Sequence, residues 1–231
     1  MASRNLIRYL LKLSNPSRNS QELENTHVHV NHSALVDLVP LADYSYEDAM
    51  YRLQHYKKVV FLRHPVDRLL SAWNDKLYNN DTAFEYLRRA IIATCRYNSS
   101  TNNIDKITKD GPVTLLELFQ FLNQSLVPTK YWNEHWKPMN EVCQLCFINY
   151  DYIGKIEYFS EEVAFIVEKV MKIESSESIP PLFTSPPIAY SEHRLKELAK
   201  LPTDLFNRVM AKYERDFQIG GYSYYQSPIS S

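Results

Sequence analysis

The segment VVFLRHPVDRLLSAW, residues 59–73, combines groups that could bind a phosphate. Arg63 ends a short apolar run, and its planar guanidinium can donate two parallel hydrogen bonds to phosphate oxygens. Ser71 follows eight residues later and can donate a hydroxyl, and a helix that begins between them would add backbone N–H groups and a positive dipole end. These residues predict a clamp for a terminal phosphate. An exposed ion pair between Arg63 and Asp67, with Ser71 facing solvent, explains them equally well.

Histidines in HVHVNHSAL, residues 27–35, are candidates for proton transfer. His27 and His29 are two residues apart, so their side chains would lie on one side of a strand. A neutral imidazole can take a proton near neutral pH. His32 is also close, so a surface cluster without a function is the alternative.

A third group of candidates lies in the aromatic stretch at residues 128–146. His135 and Trp136 could stack on a sugar or an adenine, or Trp136 could belong to a packed core. Cys143 and Cys146 form a lone C-x-x-C. A zinc site needs four ligands and no fourth is evident beside His135, so a short-loop disulfide or plain buried thiols are favoured over a metal.

The elements that must position these residues alternate between helices and a few short strands. The β-branched run 57–62 and residues 146–154, with a turn at Gly154, predict strands. Apolar periodicity predicts helices at 4–13, 45–56, 65–79, 81–97, 113–123, 159–173, 191–200 and 203–215, with N-caps at Ser45, Thr114, Ser160, Ser191 and Thr203. This order predicts one α/β domain over residues 1–231 with a small parallel sheet.

Composition narrows the classes of partner. The formal net charge of -1 argues against a nucleic-acid partner, and no apolar run is long enough for a transmembrane helix. The basic residues Arg88, Arg89, Arg96, Lys106 and Lys109 could line a groove for an anionic glycan, or form a solvated face.

Because no G-x-x-x-x-G-K-[ST] occurs, a nucleotide kinase is disfavoured. The sequons at Asn31, Asn80, Asn98 and Asn123 lean towards a lumenal protein.

Several blocks resemble one family of enzymes, the Golgi carbohydrate sulfotransferases of the chondroitin and dermatan 4-O and natural-killer-epitope type. The family motif R-x-P-x-x-R-L-x-S-A-aromatic is met by Arg63, Pro65, Arg68, Leu69, Ser71, Ala72 and Trp73. FEYLRRAIIATCRY, GPVTLLELFQFL and NEHWKPMNEVCQLCFINYDYIGKIE resemble further family blocks in the family's order. The resemblance covers about residues 2–222, nearly the whole chain.

The resemblance implies a fold and an activity. The fold would be the P-loop-NTPase-like sulfotransferase fold, a small parallel sheet flanked by many helices, with the first strand missing from this N-terminally truncated sequence. The activity would be transfer of a sulfuryl group from the co-substrate 3′-phosphoadenosine 5′-phosphosulfate to a glycan hydroxyl without a metal. The acceptor would be an anionic, chondroitin- or dermatan-like glycan. The compartment would be the Golgi lumen, with membrane attachment only through an anchor absent from this sequence.

The resemblance also assigns roles to residues. Arg63 and Ser71 would hold the 3′-phosphate of the donor, and Pro65 and Arg68 in the same segment would also belong to the donor-binding site. His29, in the place of the family's His-Val, would be the base, with His27 as the second candidate.

The 5′-phosphosulfate end of the donor would bind near the N-terminus, where the sequence departs from the family. Ser3, Asn5 and Arg8 fit the tail of the family's 5′-phosphosulfate loop, and Arg4 replaces its threonine. The loop's Pro and Lys would precede residue 1. Loss of a preorganised donor of this kind typically lowers the rate by ~10²–10³-fold. A catalytically weak or inactive nucleotide- or glycan-binding protein is therefore the alternative.

Overall fold

The computed structural model of the chain describes residues 39–79, 81–97, 111–124, 132–170, 172 and 192–223. It is rich in helices and contains a small parallel sheet of two strands, as predicted for an α/β protein. The chain divides into two compact units, the first within residues 1–61 and 148–188 and the second within 62–147 and 189–231. A single sulfotransferase domain over residues 1–231 stays a prediction.

The first unit is built around the sheet. Strand β1 (Val59–Leu62) pairs with β2 (Tyr152–Lys155), and helix α1 (Tyr46–His55) precedes β1. The carboxylate of Asp151 accepts hydrogen bonds from the backbone N–H of Lys58 at 2.9 Å and from the Lys57 ammonium at 3.1 Å. These contacts join the starts of the two strands. The predicted strand at 57–62 is confirmed.

A small apolar cluster covers this sheet. Its fully buried members are Phe159, Val163 and Val167, and Phe61 and Ile156 pack against them. Helix α6 (Phe159–Phe165), extended by a π-helical turn (Ile166–Val170), supplies the buried residues. Gly154 lies inside β2, where an added Cβ would be 2.8 Å from Cε1 of Phe61. The predicted turn at Gly154 is therefore wrong, because a glycine is needed there for close packing.

The second unit is a helical assembly with the larger core. Its helices are α2 (Pro65–Ala72) with a π-helical continuation (Trp73–Tyr78), α3 (Glu85–Tyr97), α4 (Leu115–Asn123), α5 (Met139–Val142), α7 (Glu192–Ala199), α8 (Thr203–Ala211) and α9 (Glu214–Gly220). Trp73 is fully buried, and its indole Nε1–H donates to the carbonyl of Val113 at 2.8 Å. The predicted helices at 65–79 and 81–97 are confirmed in position.

Helix α5 and the turns that follow it occupy residues 139–147, so the predicted second strand at 146–154 begins too early. Helix α5 begins after Pro138, and the carboxylate of Asp216 accepts from the N–H groups of Met139 and Asn140 at 2.6 and 2.8 Å. Asp216 thus caps this turn from a distant part of the chain. β2 starts only at Tyr152.

Two of the predicted helix N-caps, Ser45 and Thr114, are confirmed. Ser45 accepts from the N–H of Asp48, and Thr114 forms a full capping box with Glu117. Ser160 and Thr203 are wrong: they lie inside helices whose N-cap positions are Tyr158 and Pro202. A 3₁₀ turn (Ile156–Tyr158) and a proline set those starts. Ser191 and the predicted helix at 4–13 lie outside the described residues.

Among the described residues, no helix has the length and apolar character needed to span a membrane.

Candidate functional site

The predicted phosphate clamp lies where β1 ends and α2 begins. Arg63 directly follows Leu62, the last residue of β1, and both Arg63 and Ser71 are half-buried. Pro65 occupies the first helical position, where its missing N–H removes no helical hydrogen bond. The N–H of Arg68 makes an early helical bond, to the carbonyl of His64 at 3.0 Å. A helix N-terminus thus follows Arg63 at once, as the sequence predicted.

Arg68 has a structural role that the motif did not reveal. Its Nη1 donates to the carbonyl oxygen of Lys137 and its Nη2 to that of Glu134. Burial lowers the pKa of the guanidinium, and the charge of Arg63 nearby adds to this effect. Arg68 therefore ties α2 to residues 132–140, which we call the His135 loop.

Two further residues hold the His135 loop by its backbone. Tyr213 is buried, and its hydroxyl donates to the carbonyl of Trp136 at 2.5 Å. Asp216 is also buried and caps α5 at the end of the loop. Burial raises the pKa of both side chains. Sequence reasoning missed Tyr213 and Asp216, because the partner of each lies 77 residues away along the chain.

The burial of the two side chains decides between the two interpretations of the His135-Trp136 pair. Trp136 is fully buried in the core of the second unit, so it cannot stack on a ligand. His135 keeps 35% of its side chain exposed. Its Nδ1 lies 2.5 Å from Oδ1 of Asn133, and its backbone N–H donates to the same oxygen at 3.0 Å.

The described arginines of the expected basic groove have carboxylate partners. Arg88 and Arg89 lie 2.6 and 2.8 Å from the carboxylate of Glu85 on the same helix. Arg96 contacts both carboxylate oxygens of Glu117 at 2.5 and 2.9 Å. Burial alone would raise the pKa of Glu117, but the hydrogen bonds from Arg96 and the Thr114 cap lower it below its ordinary value. These three arginines therefore stabilise α3 and α4, and the two carboxylates offset all but one of their positive charges.

The remaining predicted site residues cannot be placed in this geometry. His27, His29, Ser3, Arg4, Asn5, Arg8, Lys106 and Lys109 lie outside the described residues. Within the described ranges, no group of three or more His, Cys, Asp or Glu side chains could hold a metal ion.

Comparison with known proteins defines the class of the chain. The sulfotransferase family profile matches residues 1–223, so the chain belongs to the sulfotransferase family. Carbohydrate sulfotransferase 14 of Danio rerio is 30% identical over 208 residues, which is 88% of this chain and 54% of the relative. The same enzyme of Mus musculus is 31% identical over 206 residues, 87% of this chain and 51% of the relative.

A more distant relative carries a related name. Carbohydrate sulfotransferase 12 of Xenopus laevis is 28% identical over 176 residues, 74% of this chain and 41% of the relative. The chain spans about half the length of the curated relatives it matches. No solved structure matches it. The resemblance to carbohydrate sulfotransferases, first drawn from the motif around Arg63, is confirmed.

Proposed function

We propose that this chain is a carbohydrate O-sulfotransferase that transfers the sulfuryl group of 3′-phosphoadenosine 5′-phosphosulfate to a glycan hydroxyl. The observation that carries the proposal is the position of Arg63, between the end of β1 and the N-terminus of α2. In α/β proteins, ligands bind at the carboxyl ends of strands. A helix N-terminus with an adjacent guanidinium suits a phosphate group.

The donor site needs groups for both ends of the nucleotide. Arg63 donates a forked pair of hydrogen bonds to the 3′-phosphate, and the hydroxyl of Ser71 donates one more. Pro65 fixes the backbone that starts α2. Arg68 supports the site indirectly, because it holds the backbone of the His135 loop. Ser3, Arg4, Asn5 and Arg8 bind the 5′-phosphate side.

The transfer step requires one base. The acceptor oxygen forms a bond to sulfur while the bond from sulfur to the 5′-phosphate oxygen breaks, and the electron pair leaves with the phosphate. His29 takes the proton of the acceptor hydroxyl, as a neutral imidazole can near neutral pH. His27 is the alternative base.

The proposal extends to fold, acceptor and compartment. The two described strands are part of a P-loop-NTPase-like sulfotransferase sheet in a single domain. The acceptor is an anionic glycan of the chondroitin or dermatan type, and the site of action is the Golgi lumen. The relatives named carbohydrate sulfotransferase 14 and 12 support the glycan class.

A second candidate function differs only in turnover. Arg4 stands where the family has a threonine, and Ile7 stands where it has a second lysine. These replacements favour a protein that binds the nucleotide or the glycan with little or no transfer. Binding without transfer of labelled sulfate would select this candidate.

Calorimetric titration tests the donor site without requiring turnover. The ligand is 3′-phosphoadenosine 5′-phosphate, and the proteins are wild type, Arg63→Ala and Ser71→Ala. Two charge-assisted hydrogen bonds of about 1.5 kcal/mol each predict about a 100-fold loss of affinity for Arg63→Ala. We expect a smaller loss for Ser71→Ala and none for Lys196→Ala, a control on exposed α7. Equal affinity of wild type and Arg63→Ala would refute the site.

A further inference from the structure

The hydrogen bonds of Asn133 fix the proton position on His135. The backbone N–H of His135 can only donate, so the Asn133 atom 3.0 Å away must be the amide oxygen. The same oxygen lies 2.5 Å from Nδ1 of the imidazole, so Nδ1 carries a proton and donates to it. In the neutral ring, Nε2 is then the nitrogen with the lone pair. The sequence N-x-H thus presents a histidine as a hydrogen-bond acceptor.

The surroundings of His135 favour this neutral form. Burial lowers the pKa of the imidazole, and the charges of Lys76 and Arg68 lower it further against the opposing carboxylates of Glu134 and Asp81. Lys76 does not approach as an unpaired cation, because its ammonium lies 3.0 Å from the carboxylate of Asp81.

The ring of His135 is also held in one orientation. Phe84 meets the imidazole edge-on, with ring centroids 5.2 Å apart and planes at 89°. The ammonium of Lys76 lies 5.0 Å from the centroid of the Phe84 ring. With Asn133 bonded to Nδ1 and Phe84 against the ring, the imidazole has little freedom to turn.

The loop that carries His135 is fastened to the helix that carries Ser71. Arg68 binds the carbonyls of Glu134 and Lys137, on either side of His135, and lies one turn before Ser71 on α2. Tyr213 binds the loop through the backbone of Trp136, as Asp216 does through the following turn. All these contacts use the loop backbone, and they leave the His135 side chain partly exposed beside α2.

We propose that His135 binds the glycan acceptor by accepting a hydrogen bond from a sugar hydroxyl at Nε2, and that Arg68, Tyr213 and Asp216 position it. This inference rests on the proposed function and adds an acceptor-binding residue to it. The lone pair at Nε2 repels phosphate and sulfate oxygens, which have no proton to donate at neutral pH. It suits hydroxyl groups, which glycans present in number, and in this role His135 is not the base.

Titration of a non-sulfated chondroitin hexasaccharide into wild type, His135→Ala and His135→Gln tests the inference. Loss of one hydrogen bond of about 1.4 kcal/mol predicts about a tenfold weaker Kd for His135→Ala. Glutamine places a carbonyl oxygen near the position of Nε2, so we expect His135→Gln to stay within about threefold of wild type. In wild type, the nitrogen resonance of Nε2 should shift when the hexasaccharide binds, while the Nδ1-protonated tautomer is retained.

The two proposals fail in different ways. If wild type binds no hexasaccharide, or if His135→Ala binds it as tightly as wild type, the inference about His135 is overturned. If His135→Ala instead weakens binding of 3′-phosphoadenosine 5′-phosphate, Nε2 serves the adenine amine and the inference is also overturned. A wild type that binds the hexasaccharide through His135 but binds no nucleotide would support the inference and contradict the donor site. Circular dichroism melts of both variants check that they fold.

Discussion

Replacement of Arg68 by methionine is expected to destabilise the second unit strongly. The change removes a guanidinium that donates to the carbonyls of Glu134 and Lys137, and it keeps a long side chain. Each hydrogen bond from a charged donor contributes about 1.5–3 kcal/mol, and the carbonyls also lose a partner. The free energy of unfolding should therefore fall by about 3–5 kcal/mol. Arg68→Lys keeps the charge without the forked geometry, so we expect a loss of about 1–2 kcal/mol.

Tryptophan fluorescence during urea unfolding is the suitable assay. The chain has three tryptophans, and Trp73, Trp132 and Trp136 all belong to the second unit, so the signal reports on the unit that contains Arg68. A lower midpoint with an unchanged m-value would mean a loss of stability without a change in the exposed area. Lys196→Ala is the control, because its exposed pair with Glu192 contributes less than about 0.5 kcal/mol. If Arg68→Met has the same urea midpoint as the control, Arg68 does not stabilise the second unit, and the reasoning is refuted.

Three other changes test packing, capping and charge. Gly154→Ala places a Cβ against Phe61 and should lower the free energy of unfolding by about 1–3 kcal/mol; Phe61→Leu in the same chain should recover part of this, and no recovery would contradict the contact. Thr114→Ala removes the cap of α4 and should cost about 1 kcal/mol in thermal unfolding, whereas Thr114→Ser should cost little. Because the folded-state pKa of Glu117 is lowered, its contribution is present at neutral pH and is lost as pH falls below about 5. Glu117→Gln, which weakens the pair with Arg96, should make stability less pH-dependent in acid, and an unchanged pH profile would count against that pair.

The sequence predicted those features that depend on neighbours along the chain. An apolar run followed by Arg63 and Pro65 was enough to place β1, the start of α2 and the candidate clamp. The capping box at Thr114 was visible because both of its partners lie within four residues. The family resemblance then selected the phosphate role of Arg63 over a simple ion pair, and that role stays a prediction.

Features that depend on distant contacts were missed. Arg68 appeared to be a second donor-binding arginine, yet its partners are carbonyls more than 60 residues away. Asp216 caps the helical turn that begins at Met139, and no local pattern in the sequence indicates a cap from 77 residues away. The charge of Arg96 suggested a binding groove, but its partner Glu117 lies on another helix. Tertiary pairing of charges and backbone groups decided each of these cases.

Binding of two nucleotides that differ only in the 3′-phosphate tests the central claim most directly. Calorimetry would compare 3′-phosphoadenosine 5′-phosphate with adenosine 5′-phosphate on wild type and on Arg63→Ala. If Arg63 holds the 3′-phosphate, the variant should bind the first nucleotide about 100-fold more weakly and the second with nearly unchanged affinity. Equal losses for both nucleotides, or no loss for either, would contradict the assignment of Arg63 as the 3′-phosphate clamp.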